Sequence, residues 1–402
     1  MSKKILIVSC VFPPEPVVSA QISFDLASAL SKDNMVVVIA PKPSRPLGYK
    51  FEEVVEEKTQ FYKVQTNSYV NPKSKIISRF HESYSFGNSV AKYISKHSDS
   101  IDIVYLNSWP LLSQYLIVKA CKKKSIPSIT HVQDIYPETL INKLPILKSF
   151  FYKLLLPIDK YILANSAKVV TISHGMKDML SKTRNINSGK IDVIYNWQKI
   201  NIQSPSKDKN DKFTFIYLGS LSPSAQIESV IEAIGELANP KMKLVIAGSG
   251  SEEENLKRIA SKYSTADIVF VKAISEEVPK IQSKADVLLL PLREGVGKIA
   301  LPSKLVSYMY SSKPVLAIVD EDSDIEKIIK EAECGWVLRQ NDKEKLKNKI
   351  LEVSMLSNEE LVEKGENAFA YATNNLARKK NLSLLANLVL NVKKEKQKTQ
   401  VL

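Results

Sequence analysis

Apolar runs of strand length recur along the first half of the chain, at KILIVSCVF (4–12), MVVVIA (35–40), IDIVYLN (101–107), IPSITHV (126–132), KVVTIS (168–173) and IDVIYN (191–196). They are continuous rather than alternating, which is the mark of strands covered on both faces, as in a parallel sheet flanked by helices. A polar, turn-forming stretch, QKINIQSPSKDKNDK (198–212), interrupts the pattern and reads as a linker. The alternation then restarts with FTFIYLGS (213–220), MKLVIAGSG (242–250), DIVFVKA (267–273), ADVLLLPL (285–292), KPVLAIVD (313–320) and GWVLRQ (335–340). Helix-length segments such as AQIESVIEAIGELA and PSKLVSYMYSS lie between these runs. From about 358 to 395 the chain reads as consecutive helices without a strand. The pattern predicts an α/β protein with two doubly wound parallel sheets in tandem. Ligands of such sheets bind beyond the carboxyl ends of the strands, so a cleft between the two domains is the expected site.

Composition agrees with this and adds little: 402 residues, 44% hydrophobic and 25% charged, describe a globular chain of two or three domains. The apolar run in MSKKILIVSCVF is too short for the core of a signal peptide and reads as a first buried strand, with nothing marking the chain for export. No run of 18 uncharged apolar residues occurs, so a soluble or peripheral protein is expected. Cys10, Cys121 and Cys334 are widely spaced, as befits reduced thiols in a cytosolic protein.

Charge changes the picture more. A net +14 calls for an anionic partner: nucleic acid, a phosphate-bearing substrate or an acidic membrane. INKLPILKSFFYKLLLPIDKYILANSAK (141–168) sets five lysines against one aspartate among aromatic and leucine side chains. That composition suits a helix lying on anionic lipid, and equally an amphipathic helix packed on its own sheet with a solvated lysine edge. KKEKQK (393–398) adds further positive charge. No nucleic-acid-reading motif accompanies it, so no nucleic-acid partner is expected.

Several strand ends carry candidate chemistry. In THVQDIYPE (130–138) the strand end is expected to deliver His131 and Asp134 into a loop, where the imidazole donates to a sugar hydroxyl or is merely satisfied at the strand terminus. His81, His97 and His174 lack such a setting, and no ligand spacing suggests a protein-bound metal. In VFPPEPVVSAQISFDLASAL (11–30) a helix begins near Ser19; its N–H groups suit a phosphate, but there is no glycine for close approach and Glu15 adds negative charge. The same residues read as a proline-stiffened loop with a serine cap, leaving Glu15 to meet an acceptor hydroxyl. Gly219 and Ser220 in YLGSLSPSAQ are small enough to admit a ligand, and Gly248 and Gly250 in IAGSGSEEENL allow close backbone approach. In LLLPLREGVGKIALPSKL a strand leads through a glycine-containing loop with Glu294 to a helix start, where Ser303 and Lys304 add a hydroxyl and a cation to exposed N–H groups. This suits a diphosphate, or ordinary capping with a solvated lysine.

THVQDIYPE, VIYNW, YLGSLSPSAQIESVIEA and LPSKLVSYM together resemble the family-4 GT-B glycosyltransferases over nearly the whole chain. The likeness is greatest to the bacterial subgroup that adds fucose or N-acetyl-fucosamine-type sugars in capsule, O-antigen or colanic-acid assembly. The resemblance implies two Rossmann-like domains facing a central cleft. Residues 1–198, completed by a helix over 379–402, would bind the acceptor; 199–212 would be the linker, and 213–378 the nucleotide-sugar domain. His131 takes the place of the histidine beside the donor sugar and Lys304 that of a diphosphate-binding cation. Ser307 stands where the family places the second of two glutamates, the one that grips the nucleotide ribose. Glu294 offers a carboxylate without matching the family's spacing. The family's glycine pair is missing from PPEPVVSAQ and its Arg/Lys pair from GSLSPSAQ, which puts weight on Lys304.

By the same resemblance the reaction retains configuration and needs no cofactor. With no covalent nucleophile evident, the leaving diphosphate helps to deprotonate the acceptor on the same face, with His131, Asp134 and Glu294 as the expected catalytic set. The expected donor is UDP-N-acetyl-L-fucosamine and the acceptor an undecaprenyl-diphosphate-linked sugar, with the protein peripheral on the cytoplasmic face of the plasma membrane. The alternatives are a sugar-nucleotide epimerase of the same architecture and a non-catalytic donor-binding partner of a polysaccharide assembly complex.

Overall fold

The computed structural model describes residues 2–45, 51, 59–71, 76–107, 110–141, 147–197, 211–273, 277–298 and 301–393. The chain forms two compact units, Met1–Gln198 with Arg378–Leu402, and Lys199–Ala377. Most of the expected linker, 199–210, lies outside the described residues, as do 394–398 of the basic KKEKQK stretch.

The first unit holds β1 (Lys4–Ser9), β2 (Met35–Ala40), β3 (Tyr62–Gln65), β4 (Ile103–Asn107), β5 (Ser128–Val132), β6 (Lys168–Thr171) and β7 (Ile191–Val193). Its helices are α1 (Val18–Leu30), α2 (Ile76–Lys96), α3 (Leu111–Lys123), α4 (Glu138–Ile141), α5 (Lys148–Asn165) and α6 (His174–Arg184). The second unit holds β8 (Phe213–Leu218), β9 (Met242–Ala247), β10 (Ile268–Val271), β11 (Val287–Pro291), β12 (Val315–Ile318) and β13 (Gly335–Leu338). Its helices are α7 (Glu228–Leu237), α8 (Glu253–Ala260), α9 (Val278–Ser283), α10 (Ser303–Tyr310), α11 (Asp324–Glu331), α12 (Lys343–Val353) and α13 (Asn358–Tyr371). The last helix, α14 (Arg378–Asn391), belongs to the first unit.

Both sheets are wholly parallel, in the orders β3-β2-β1-β4-β5-β6-β7 and β10-β9-β8-β11-β12-β13. Strand order reverses between β1 and β4 in the first and between β8 and β11 in the second. The carboxyl ends of those strands are therefore where each sheet opens a ligand crevice.

Continuous apolar strands cover both faces, as their pattern requires. In β1, Ile5 and Ile7 face Ile22 and Leu26 of α1 and Leu385 and Val389 of α14. Leu6 and Val8 face the opposite way, onto Phe86 and Val90 of α2, Val118 of α3 and Ile162 of α5. Each such side chain contributes about 1.5–3 kcal/mol by leaving water. β3 carries no apolar run: YKVQ is exposed at three of four positions, because it is the sheet's edge and has one neighbour. Two further differences come from the same physics. The first strand stops at Ser9, short of the Pro13-Pro14 turn, and β5 extends through Val132, which keeps His131 inside the sheet instead of in the following loop. Among the described residues no helix is long and apolar enough to cross a membrane.

Candidate active site

In the second unit, β8 and β9 continue into loops that remain in register: Gly219 N–H donates to Ala247 O at 2.9 Å, and Leu221 N–H to Ser249 O at 2.9 Å. Gly219 and Gly248 have φ of +147° and +146°, a region that disfavours side chains. A Cβ on Gly248 would lie 1.9 Å from Gly219 O, and one on Gly250 would lie 2.1 Å from Leu221 O. These glycines therefore let two loops press together backbone to backbone. Gly219 makes room of another kind, since a Cβ there would lie 2.8 Å from Lys304 Nζ.

Lys304 stands in the first turn of α10, which follows Pro302 as N-cap, with exposed Ser303 beside it. Its Nζ donates to Tyr217 Oη at 2.7 Å and sits 4.2 Å from the centroid of that ring. Tyr217 Oη in turn donates to Ser220 O at 2.7 Å. Burial pushes the ammonium pKa down to about 8. A phenol is a weak partner for a desolvated cation, so this ammonium has electrostatic capacity to spare. One turn on, Ser307 Oγ accepts from Gln282 Nε2 at 2.9 Å. Tyr308 Oη, fully buried, accepts from Leu218 N–H at 2.9 Å and donates to Leu218 O at 3.0 Å. α10 is thereby fastened to the end of β8. Gly219, Ser220, Gly248, Gly250, Ser303, Lys304 and Ser307 lie on one connected set of elements.

Glu294 is exposed on the turn after β11. It lines a cavity of about 390 Å³ with Arg293, Gln226, Ser229 and Arg339. The turn is held from below: buried Asp320 accepts from Gly295 N–H at 2.7 Å and from Gly297 N–H at 3.0 Å.

In the first unit, His131 is 0% exposed. Its Nδ1 lies 2.6 Å from Tyr105 Oη and its Nε2 3.1 Å from Gln133 Nε2, whose Oε1 accepts from Asn196 Nδ2 at 2.7 Å. With the Gln133 amide donating, the ring proton sits on Nδ1. Burial pushes the imidazole pKa down to about 3, so the ring is neutral at physiological pH. Asp134, by contrast, is exposed in the loop. Glu15 is buried, with Oε2 accepting from Phe12 N–H at 3.1 Å and Oε1 from the N–H groups of Ser44 and Arg45, each at 3.0 Å. Its carboxylate closes the loop instead of standing open to an acceptor hydroxyl. Ser19 lies inside α1, whose N-cap is Val17 without a side-chain cap, and the Ser19 carbonyl accepts from Asn107 Nδ2 at 2.7 Å.

The IYPE turn after His131 is anchored by Arg184, which is buried at the end of α6. Its guanidinium donates to Glu138 Oε1 and Oε2 at 2.7 and 2.5 Å, to Asp159 Oδ2 at 2.8 Å and to Tyr136 O at 2.6 Å. Burial opposes its charge, but these two carboxylates outweigh that and hold its pKa above the ordinary value. Sequence reasoning missed Tyr217, Gln282, Tyr308 and Asp320. Only Tyr308 left a signal, four residues after Lys304 on one helix face.

Residues 20–197 match the model of Glycosyltransferase Family 4, and residues 198–371 that of Glycosyl transferases group 1. The chain belongs to the family-4 GT-B glycosyltransferases. It is 26% identical over 237 residues to the probable glycosyltransferase WbjE of Pseudomonas aeruginosa, covering 56% of this chain and 59% of that one. It is 27% identical over 184 residues to the O-antigen chain mannosyltransferase RfbU of Salmonella typhimurium, covering 45% and 48%. The matched region thus spans about three fifths or less of these curated relatives' length. The fold of this glycosyltransferase is similar to that of Anabaena Alr3699/HepE, solved in complex with UDP, at a TM-score of 0.69 and 14% identity over 97% of this chain and 100% of that one.

Proposed function

We propose that this glycosyltransferase moves a deoxyamino sugar, N-acetyl-L-fucosamine as the first choice, from UDP to a polyprenyl-diphosphate-linked saccharide with retention of configuration. The observation that carries the reading is Lys304: a partly buried ammonium, partnered by a phenol, at a helix start and against Gly219. A nucleoside diphosphate would supply an anion, which no described residue offers at this position. As the sugar–oxygen bond breaks, negative charge grows on the β-phosphate, and Lys304 with the first N–H groups of α10 stabilises it electrostatically. Ser307, held by Gln282, meets the ribose, and Ser303 adds a hydroxyl donor. Glu294 accepts from a donor-sugar hydroxyl. Buried neutral His131 acts on the sugar through Gln133, which it orients, and Asp134 faces the acceptor. The departing diphosphate takes the acceptor proton, consistent with the lack of a covalent nucleophile in this set.

The acceptor's lipid tail fits a docked enzyme. α5 buries Leu155, Ile162 and Leu163 but exposes Phe150 (60%) and Leu154 (55%), together with Leu147 (62%) just before it. Exposed Lys148 and Lys153 flank that stripe. Apolar anchors ringed by lysines suit the anionic inner face of a membrane.

The test is a panel of UDP-, GDP- and dTDP-sugars incubated with short-chain polyprenyl-diphosphate saccharides, with product stereochemistry read by NMR. Transfer from a UDP-deoxyamino sugar with the anomeric configuration kept is expected. Absence of transfer and hydrolysis across the panel rejects the reading, and an inverted product rejects the same-face mechanism.

A further inference from the structure

Asp320 sits two residues beyond β12 and is 3% exposed. A buried carboxylate is expensive unless its charge is answered. Here the answer comes from two backbone N–H groups of one turn, Gly295 at 2.7 Å and Gly297 at 3.0 Å. The fit is tight, since a Cβ on Gly297 would lie 3.1 Å from Asp320 Oδ2. The same turn is hung at its start by Arg293 N–H donating to Ser224 O at 2.9 Å. Glu294 lies between these fixed points, exposed, on a residue whose successor has φ of +85°. A turn with two glycines has little intrinsic preference for one conformation, so its geometry depends on what grips its amides.

We propose that Asp320 is a positioning residue: by binding the amides of Gly295 and Gly297 it sets where the Glu294 carboxylate meets the donor sugar. This rests on the reading of Glu294 as a donor-sugar contact. The nucleotide contacts are held by other means, since α10 is fixed to β8 through Tyr308 and to α9 through Gln282. Asp320 therefore tunes recognition of the sugar while leaving recognition of the nucleoside diphosphate alone.

The experiment uses the full chain and the variants Asp320→Asn and Glu294→Ala. Asparagine keeps the size of aspartate but offers one acceptor where two are used, and turns an NH₂ toward the second amide. For Asp320→Asn we expect UDP affinity within about twofold of wild type, kcat/KM for the UDP-sugar lower by about 10- to 100-fold, and faster hydrogen exchange at Gly295 and Gly297. Equal losses of UDP affinity and kcat/KM, accompanied by a lower Tm, would mean a merely structural role and overturn the proposal. Wild-type exchange at the two glycines overturns the clamp itself. A wild-type kcat/KM in Glu294→Ala overturns the donor-sugar reading of the turn, and with it the functional part of the proposal, whatever the exchange result. If wild type turns over no donor, the proposed transferase reading fails, and exchange alone decides whether the clamp exists.

Discussion

The burial of Lys304 has a consequence that can be measured without knowing the sugar. Its pKa lies near 8, down from 10.5, because leaving water disfavours the ammonium and the Tyr217 phenol only partly replaces the lost hydration. If the diphosphate binds the charged form, the apparent Kd scales as one plus ten to the power pH minus pKa. Between pH 7 and pH 9 this weakens UDP binding about tenfold, or about 1.4 kcal/mol. Binding at pH 9 also takes up about 0.9 proton, because the diphosphate restores the charge that burial removed. Calorimetry of UDP at both pH values, in two buffers of different ionisation enthalpy, reads Kd and proton uptake together. Lys304→Met is the control: its binding is weaker and has no slope. A Kd that stays constant from pH 7 to 9, or a slope that survives in Lys304→Met, refutes the placement of Lys304 on the diphosphate.

The same shift predicts a stability effect of defined sign. A lysine whose folded pKa is depressed binds fewer protons folded than unfolded between pH 8 and 10.5. Stability therefore rises with pH across that window, and the cost of burial is fully expressed below it. Several buried tyrosines titrate abnormally high and oppose the trend, so the quantity to compare is wild type minus Lys304→Met. At pH 7 the methionine variant without nucleotide should melt higher, as expected where a functional site carries a desolvated charge.

Arg184→Leu strands the carboxylates of Glu138 and Asp159 in the protein and should cost about 3–5 kcal/mol, lowering the first unit's Tm by about 10 °C in calorimetry; a loss under about 1 kcal/mol would show the network to be idle. Burial tends to raise the pKa of Asp25, but hydrogen bonds from Arg378, Trp197 and Gln21 prevail and hold it below the ordinary value. Its contribution is therefore present above the unfolded pKa and lost as pH falls through the folded one; Asp25→Asn should lower Tm at pH 7 and flatten the acid limb of the Tm profile, and an unchanged acid limb refutes this. Gly248→Ala drives a methyl into Gly219 O and should destabilise the second unit by more than about 2 kcal/mol. Phe150→Ser with Leu154→Ser should weaken sedimentation with anionic vesicles at least tenfold while leaving UDP affinity unchanged; equal sedimentation removes α5 from the membrane contact.

How much of this was legible in the sequence follows from what each feature depends on. Twelve of the thirteen described strands coincide with continuous apolar runs: inside each sheet burial on both faces writes itself into most residues, and the edge strands β7, β10 and β13 keep an apolar run although they are only partly buried. β3 escaped since an edge strand needs no such run. That same continuity hid the fate of His131. An alternating strand declares which side chains face inward, but in SITHV every position is interior, so a histidine near the strand's end goes inside with its neighbours. The position of Lys304 in the first turn of a helix was legible from Pro-Ser-Lys. Tyr217 was not, because 87 residues separate it from Lys304 and only the sheet order joins β8 to the elements around β11.

Charge satisfaction separates structural from functional groups more sharply than residue type does. Glu15, Glu138 and Asp320 are carboxylates in the segments that follow strands, where chemistry is first sought, and Asp25 lies within α1. Each instead spends its charge inside its own unit: Glu15 and Asp320 on backbone amides, Asp25 on Arg378, Glu138 on Arg184. Among the lysines, burial also lowers the pKa of Lys313, but there the charge of Asp286 opposes the shift. For Lys304 no carboxylate among the described residues offsets the effect of burial, and its hydrogen-bond partner there is a neutral phenol. A protein keeps a desolvated cation in that state only at a cost in stability, and a ligand anion recovers that cost on binding. That contrast supports the proposal that a nucleoside diphosphate binds at α10, and that Glu294, whose turn is gripped from beneath while its own carboxylate stays exposed, reads the sugar.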